Sequence, residues 1–217
     1  MINTDFARRQ MVQQQIRTWD VSETLIIEVL SRIHREQFVP SGFEDLAFAD
    51  TEIPLAHGQV MMMPLIEGRL LQALEIEPQH KVLEIGTGTG YLTACLAKLA
   101  AAVTSVDIFE DLVSTAKSNL ADADVENIEL LCMDATAELP KGQFDAVAVT
   151  GSLPTFDTRY IDALKSGGRL FVIVGDPPVM DARIITRVGE NDWTTVSLFE
   201  TNLRPLINAA RPSPFSF

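Results

Sequence analysis

The chain has 217 residues, of which 47% are hydrophobic, so it can bury one sizeable core and we expect a single domain over residues 1–217. Its formal net charge of −13 at pH 7, with no run of Lys and Arg to offset it, disfavours a nucleic-acid partner. Because no apolar run approaches the roughly 18 residues of a membrane span and the N-terminal residues lack a signal-like apolar core, we expect no membrane partner and a cytoplasmic protein.

Two helices are predicted first, over about 5–18 and 22–34, since apolar side chains recur there at three- and four-residue spacings. Ser22 is placed as the N-cap of the second helix. A looped segment rich in proline and glycine follows as far as Pro64, which we expect in the first turn of a third helix. The predicted buried face of that helix consists of Leu65, Ile66, Leu70, Leu71 and Leu74.

From residue 81 onward, short apolar strands alternate with helices. The predicted strands are 81–86, 102–107, 128–134, 144–151 and 168–175, and the predicted helices are 90–100, 110–121 and 157–165. This alternation indicates an α/β, Rossmann-like, doubly wound and mostly parallel sheet, whose nearly continuous apolar strands are buried on both faces. Segments 182–189 and 193–200 have no helix between them and predict a C-terminal antiparallel hairpin, which gives seven strands in all. Residues 211–217 are expected to form a flexible tail.

The chain has 2 cysteines and 3 histidines, and none of them has zinc-ligand spacing, so we expect no metal site. Cys95 falls in a predicted helix and Cys132 in a predicted buried strand, where both are interpreted as small apolar filler. The stretch GQVMMMP, residues 58–64, fits neither a strand alternation nor a helical stripe. Its adaptable methionines either fill irregular gaps in the core or line a pocket.

The sequence EIGTGTGY, residues 84–91, places three glycines between the first strand of the alternating region and the helix after it. Glycine there permits a positive φ and lets a ligand approach the backbone. Asp107 ends the next strand, where an acidic residue of a βαβ unit accepts hydrogen bonds from ribose hydroxyls. The pattern therefore indicates a nucleoside-containing ligand; the alternative is a glycine turn without a ligand and a solvated aspartate.

The spacing GxGxG differs from the dinucleotide fingerprint GxGxxG because Tyr91 stands where glycine or alanine is required, which disfavours a nicotinamide oxidoreductase. The combination resembles motif I of class I S-adenosylmethionine-dependent methyltransferases. By this resemblance Gly86 and Gly88 approach the methionine part of the donor, Asp107 the ribose, and Asp134 with Ala135 the adenine. The resemblance implies a donor site made of Glu84, Gly86, Thr87, Gly88, Asp107, Ile108, Asp134, Ala135 and Thr150.

Several phrases narrow the resemblance to the protein-L-isoaspartate O-methyltransferase family. They are the "RE.FVP" pattern at 35–40, FAD at 48–50, GQ at 58–59, VLEIGTGTGY at 82–91, FDAVAVTG at 144–151 and GGRLFVIVG at 167–175. The family transfers a methyl group from S-adenosylmethionine to a carboxylate of isoaspartyl residues in damaged proteins, leaving S-adenosylhomocysteine. The resemblance implies N-terminal helices and an acceptor loop over 1–80 and a donor-binding core over 81–210, and it does not indicate an oligomeric state.

The chain departs from the family in GQVMMMP, where relatives read GQTISAP. Met62 stands at the position of the family serine, and Val60 replaces the threonine. Glu67 stands near a histidine of many relatives and is expected to be a solvated helix residue, while His57 is either a plain turn residue or an acceptor contact. The candidates at the acceptor loop are Gln59, Met62 and Glu67. Two alternatives stay open: a different acceptor, such as an apolar small molecule or another protein group, or a donor-binding protein without catalysis.

Overall fold

A computed structural model describes residues 4–211 of the chain. The strands are β1 (Ile53–Pro54), β2 (Val60–Met61), β3 (Lys81–Ile85), β4 (Ala102–Asp107), β5 (Ile128–Cys132), β6 (Phe144–Leu153), β7 (Leu164–Val174), β8 (Met180–Arg187) and β9 (Trp193–Thr201). The helices are α1 (Thr4–Gln10), α2 (Thr24–Arg32), α3 (Pro64–Leu74), α4 (Tyr91–Leu99), α5 (Glu110–Asp122) and α6 (Arg159–Asp162). No helix within residues 4–211 is long and apolar enough to cross a bilayer.

The central sheet has seven strands in the order β5-β4-β3-β6-β7-β8-β9. The first five strands of this order pair in parallel, and β8 and β9 pair antiparallel to complete the sheet. The predicted doubly wound sheet and its C-terminal hairpin are therefore confirmed. The short strands β1 and β2 pair separately with each other, and β2 lies within the GQVMMMP segment.

Both faces of the sheet are covered, as the apolar strands predicted. In β6, Ala146 and Ala148 belong to one hydrophobic cluster, whereas Val147 and Val149 belong to a second cluster on the other face. Successive side chains of a strand point to opposite faces, so this alternation means that helices and loops pack on both sides. Glu84, in the middle of β3, and Asp107, at the end of β4, are acidic residues at buried strand positions.

The N-terminal helices differ from the prediction in their details. The first continues beyond α1 as a π-helical turn over Met11–Ile16 and a 3-10 turn over Arg17–Trp19. The prediction of Ser22 as an N-cap is wrong, because the cap position of α2 is Glu23 and neither residue caps through its side chain. Instead, the backbone N–H groups of Ser22 and Glu23 donate to Gln72 Oε1 of α3 at 2.7 and 3.0 Å. A side chain distant in sequence thus performs the capping.

The third predicted helix is confirmed, with Pro64 as its first residue and the predicted apolar face buried. The helix predicted over 157–165 is shorter, because β7 already begins at Leu164 and leaves room only for α6. Cys95 is buried as predicted, but Cys132 is exposed, since it ends β5 at the open edge of the sheet. Of the predicted tail, residues 212–217 lie outside the part of the chain that is described.

Candidate functional site

A cleft opens at the carboxyl ends of β3, β4 and β6. There the chain leaves β3 for β4 on one side and later returns to β6 on the other, which is the switch point where open α/β sheets bind ligands. The loops after these strands form its floor, and residues 55–60 and 203–207 form its walls. The lining residues are Leu55, Gln59, Val60, Ile85, Gly86, Gly88, Val106, Asp107, Ile108, Phe109, Leu112, Met133, Asp134, Ala135, Thr136, Thr150, Gly151 and residues 203–207.

The glycine turn after β3 is both bent and closely packed. Gly86 has φ +99°, and a Cβ atom at this position would lie 2.1 Å from Thr150 Oγ1. The Thr150 hydroxyl, from β6, lies 2.8 Å from both the Ile85 and the Gly86 carbonyl oxygens and so fastens the turn to the neighbouring strand. Only glycine fits at position 86, because both the backbone conformation and the space exclude a side chain.

Asp107 is fixed at the end of β4 by the backbone. Its Oδ2 accepts a hydrogen bond from the Gly88 N–H at 2.9 Å, and its Oδ1 accepts one from the Phe109 N–H at 3.1 Å. Burial raises the pKa of this carboxyl above its usual value, although these hydrogen bonds oppose the rise. Each oxygen keeps further lone pairs for a ligand. Ile108, next to it, also lines the cleft.

Asp134 lies at the opposite end of the cleft, after β5. Its Oδ1 accepts hydrogen bonds from the Thr136 hydroxyl at 2.6 Å and the Thr136 N–H at 2.8 Å, and its Oδ2 accepts one from Asn208 Nδ2 at 2.8 Å. Burial opposes the ionised form, but these hydrogen bonds outweigh burial and lower the pKa of the carboxyl. Ala135, buried beside it, lines the same end of the cleft.

Two of the residues predicted to contact the donor face a smaller inner pocket instead of the cleft. Glu84 Oε2 accepts hydrogen bonds from the Thr93 and Ser105 hydroxyls, and its Oε1 has no partner among the described residues. Burial raises the pKa of Glu84 to about 8, so its carboxyl is mostly protonated at pH 7. The Thr87 hydroxyl lies 2.6 Å from the Ser105 hydroxyl in the same buried cluster. Both residues line the inner pocket, beneath the glycine turn.

The methionines of GQVMMMP serve both roles left open by the sequence. Met61 and Met62 are each 5% exposed and belong to the hydrophobic core, and both also line the inner pocket. Gln59 lines the main cleft and donates from Nε2 to the His57 carbonyl oxygen at 3.1 Å. The loop therefore presents an amide to the cleft and two thioether side chains to the pocket behind it.

A buried ion pair anchors this loop from behind. Glu67 is only 2% exposed and pairs with Arg35, which is fully buried, so the expectation of a solvated Glu67 is wrong. Arg35 also donates to the Met62 carbonyl oxygen at 2.6 Å and lies 4.7 Å from the ring centroid of Tyr91. Burial raises the pKa of Glu67 to about 7, with the Arg35 guanidinium opposing the rise.

The sequence contained a signal for this burial. Glu67 precedes Leu70, Leu71 and Leu74 at helical spacings of three, four and seven residues, so it shares their face of α3. Because that face packs on the core, the carboxylate requires a buried partner. Arg35, which belongs to the "RE.FVP" pattern at 35–40 and was assigned no separate role from the sequence, is that partner.

His57 joins the acceptor loop to the loop after β4. It adopts φ +56°, its ring stacks on Phe109 with centroids 4.0 Å apart, and its Nε2 lies 2.9 Å from both oxygens of Asp111. His57 is therefore a turn residue whose ring contacts Phe109 and Asp111, which follow β4. No cluster of three or more potential metal ligands occurs between residues 4 and 211.

The segment after β9 returns across the sheet and forms one wall of the cleft, which the sequence analysis missed. The Ser152 N–H donates to the Arg204 carbonyl oxygen at 2.9 Å, and the Leu206 N–H donates to the Ser152 carbonyl oxygen at 3.0 Å. Arg204 Nη1 donates to the Gly58 carbonyl oxygen at 2.6 Å, across 146 positions of sequence. No local pattern signals such a contact, because both partners are loop residues.

Comparisons with known proteins agree with this architecture. Residues 7–204 match the model of the family "Protein-L-isoaspartate(D-aspartate) O-methyltransferase (PCMT)". A protein-L-isoaspartate O-methyltransferase of Methanoculleus marisnigri is 37% identical over 202 residues, covering 92% of this chain and 91% of the relative. One of Koribacter versatilis is 32% identical over 214 residues, covering 97% and 96%.

Solved structures show the same fold. A Plasmodium falciparum protein named a protein-L-isoaspartate O-methyltransferase, crystallised with S-adenosyl-L-homocysteine, superposes with a TM-score of 0.78 at 18% identity, covering 95% of this chain and 99% of the other. A second structure of that name gives a TM-score of 0.79 at 20% identity, covering 91% and 65%.

Proposed function

Because this chain belongs to the protein-L-isoaspartate(D-aspartate) O-methyltransferase family, we propose that it transfers a methyl group from S-adenosylmethionine to a carboxylate of isoaspartyl residues in damaged proteins. The observation that carries the proposal is the cleft at the switch point of the sheet. There the Gly88 N–H donates a hydrogen bond to Asp107 Oδ2 at 2.9 Å and fixes the carboxylate. The backbone of Gly86 and Gly88 lines the cleft beside it without side chains. A nucleoside donor fits this combination of backbone and carboxylate.

The residues of the cleft suit each part of the donor. We assign Gly86 and Gly88 to the methionine part, since the bare backbone permits close approach. Asp107 with Ile108 would hold the ribose, because the fixed carboxylate accepts hydrogen bonds from hydroxyl groups. The adenine would lie between Ala135 and Leu206 with its amino group near Asp134, at the end of the cleft lined by these residues. When bound, S-adenosylmethionine supplies a methyl group activated by its sulfonium.

The chain itself has to position the acceptor and exclude water. A carboxylate acceptor is already ionised at neutral pH, with a reference pKa of about 4, so no general base is required from the protein. Leu55, Val60 and Leu203 make the cleft walls apolar where the acceptor would enter. A site of this kind accelerates transfer chiefly by orientation and by removing solvent.

A second acceptor class is favoured by one observation. Val60 and Met62 replace hydroxyl-bearing residues of the family with apolar ones, and together with Met61 they line the inner pocket. A small apolar molecule fits that lining better than a charged peptide does. We propose the cytoplasm as the compartment of either activity, supported by two cysteines that form no disulfide.

The proposal is tested by incubating the purified protein with methyl-labelled donor and an isoaspartyl peptide, beside a peptide of the same sequence with ordinary aspartate. Label should enter only the isoaspartyl peptide and should be released by mild base, as expected for a methyl ester. Absence of label, with S-adenosylhomocysteine still bound, would contradict it. Label appearing instead in a small molecule from a cell extract would favour the apolar acceptor.

A further inference from the structure

One charged side chain of the cleft has no part in holding the donor. Within residues 4–211, Arg204 is the only Lys or Arg that lines the cleft, and it lies on the wall opposite the glycine turn. We propose that the Arg204 guanidinium binds the negatively charged group of the acceptor and so selects a carboxylate-bearing substrate. The inference rests on the proposed function, because it concerns the acceptor of that reaction.

The guanidinium is held at the acceptor loop by one contact. Its Nη1 donates to the Gly58 carbonyl oxygen at 2.6 Å, and this is the single hydrogen bond that the group makes with the described part of the chain. A guanidinium carries five N–H donors in a planar fork, so the remaining donors are available to a ligand. Arg204 is exposed, and Gln59 and Val60 of the loop lie in the same cleft.

The other polar side chains of the cleft are neutral or carry the wrong charge. The Thr150 hydroxyl binds backbone carbonyl oxygens, the Thr136 hydroxyl donates to Asp134, and the Gln59 amide donates one of its two N–H groups to His57. Asp107 and Asp134 would repel an anion. In the loop itself, residues 60–63 carry no hydroxyl group. Among the side chains that line the cleft, Arg204 is therefore the one that offers positively charged donors to a carboxylate.

Charge makes this contact matter more. The chain has 30 acidic and 17 basic residues, so an anionic peptide approaches a protein that repels it overall. A guanidinium and a carboxylate form two parallel charge-assisted hydrogen bonds, which are stronger than bonds between neutral groups and fix the orientation of both partners. The acceptor oxygen would thereby be presented to the donor side of the cleft without the hydroxyls that the loop lacks.

The test compares two peptides that differ in one group. The protein is saturated with S-adenosylhomocysteine, and calorimetry measures the Kd of two peptides. One is an isoaspartyl peptide, and the other is the same peptide with the free carboxylate of its isoaspartyl residue converted to a primary amide. The native protein should bind the carboxylate peptide about tenfold more tightly, a difference of about 1.4 kcal/mol in binding free energy. In Arg204→Gln the two peptides should bind within about twofold of each other.

Two control measurements test whether the effect is specific to Arg204 and to the acceptor. Arg32→Gln, which removes an exposed arginine of α2 away from the cleft, should keep the native discrimination. The Kd of S-adenosylhomocysteine should stay within about twofold in both variants. A tenfold loss of S-adenosylhomocysteine affinity in Arg204→Gln would overturn the inference, because the guanidinium would then serve the donor.

The remaining outcomes separate the two proposals. Equal binding of both peptides by the native protein, with methyl transfer intact, overturns the inference and leaves the proposed function standing. Discrimination that depends on Arg204, without methyl transfer, supports the inference and contradicts the proposed function. Failure to bind either peptide overturns both.

Discussion

The two halves of the cleft are built in different ways. The donor half is made of strand ends and the turns directly after them, so that Gly86, Asp107 and Thr150 meet because β3, β4 and β6 are neighbours in the sheet. The acceptor half depends on side chains from distant segments, with Arg35 behind the loop and Arg204 in front of it. Sheet topology brings Gly86, Asp107 and Thr150 together at the proposed donor site, whereas the acceptor loop depends on long-range charged contacts.

The largest effect is expected from breaking the buried ion pair behind the acceptor loop. Arg35→Met should lower the free energy of unfolding by about 3–5 kcal/mol, because it leaves the Glu67 carboxyl buried without its charged hydrogen-bond partner. Denaturant unfolding measures this loss. The double variant Arg35→Met with Glu67→Leu should recover most of it, since no buried charge remains.

A matched control is available on the surface. Arg32 and Glu28 form an exposed pair one turn apart on α2, and Arg32→Met should cost no more than about 0.5 kcal/mol. Equal losses in Arg35→Met and Arg32→Met would contradict the role assigned to the buried pair.

In the proposed donor half, the largest loss should come from disturbing the backbone of the glycine turn. Gly86→Ala combines a positive φ with a Cβ atom 2.1 Å from Thr150 Oγ1, so we expect a loss of about 3 kcal/mol in unfolding free energy and loss of S-adenosylhomocysteine binding. Gly42→Ala separates the backbone strain from the steric clash. Gly42 also has a positive φ, +91°, but no atom lies within 4 Å of an added Cβ, so only the strain remains. The control should lose only about 1–2 kcal/mol and should keep binding.

These contrasts explain how much the sequence could reveal. The parallel strands, the glycine turn and Asp107 follow from short patterns, because each depends on neighbours in the chain or the sheet. Glu84 and Thr87 belong to the same motif, yet they face the inner pocket, which the motif alone does not show. The contact of Arg204 with Gly58 could not be predicted, since it joins two loops with no periodicity.

The inner pocket should make stability depend on pH. Burial raises the pKa of Glu84 to about 8 from its ordinary value of 4.5. Between these two pH values the folded state keeps a proton that the unfolded state has released. Stability from this group is therefore full below about pH 4.5 and is lost as the pH rises towards 8, with a slope of about 1 kcal/mol per pH unit.

Glu84→Gln replaces the titrating carboxyl with an amide that does not ionise, so the variant serves as the control for the native protein. Between pH 5 and pH 8 the free energy of unfolding should fall more steeply in the native protein than in the variant, as measured by urea unfolding at each pH. Parallel pH profiles would show that Glu84 is ionised throughout and would contradict the burial effect.

The smallest effect, and the most direct test of the account, concerns Met62. Donor binding should be independent of the acceptor loop, whereas the loop should determine how well the acceptor reacts. Met62→Ser and Met61→Ser replace equally buried side chains of the inner pocket, so the second controls for lost apolar packing.

For each variant, both the Kd of S-adenosylhomocysteine and the kcat/KM for an isoaspartyl peptide are measured. We predict an unchanged Kd in both and a rise of about two- to tenfold in kcat/KM for Met62→Ser alone, the effect of one added hydrogen bond. A change in Kd that accounts for the change in kcat/KM, or equal kinetics in the two variants, would contradict the account.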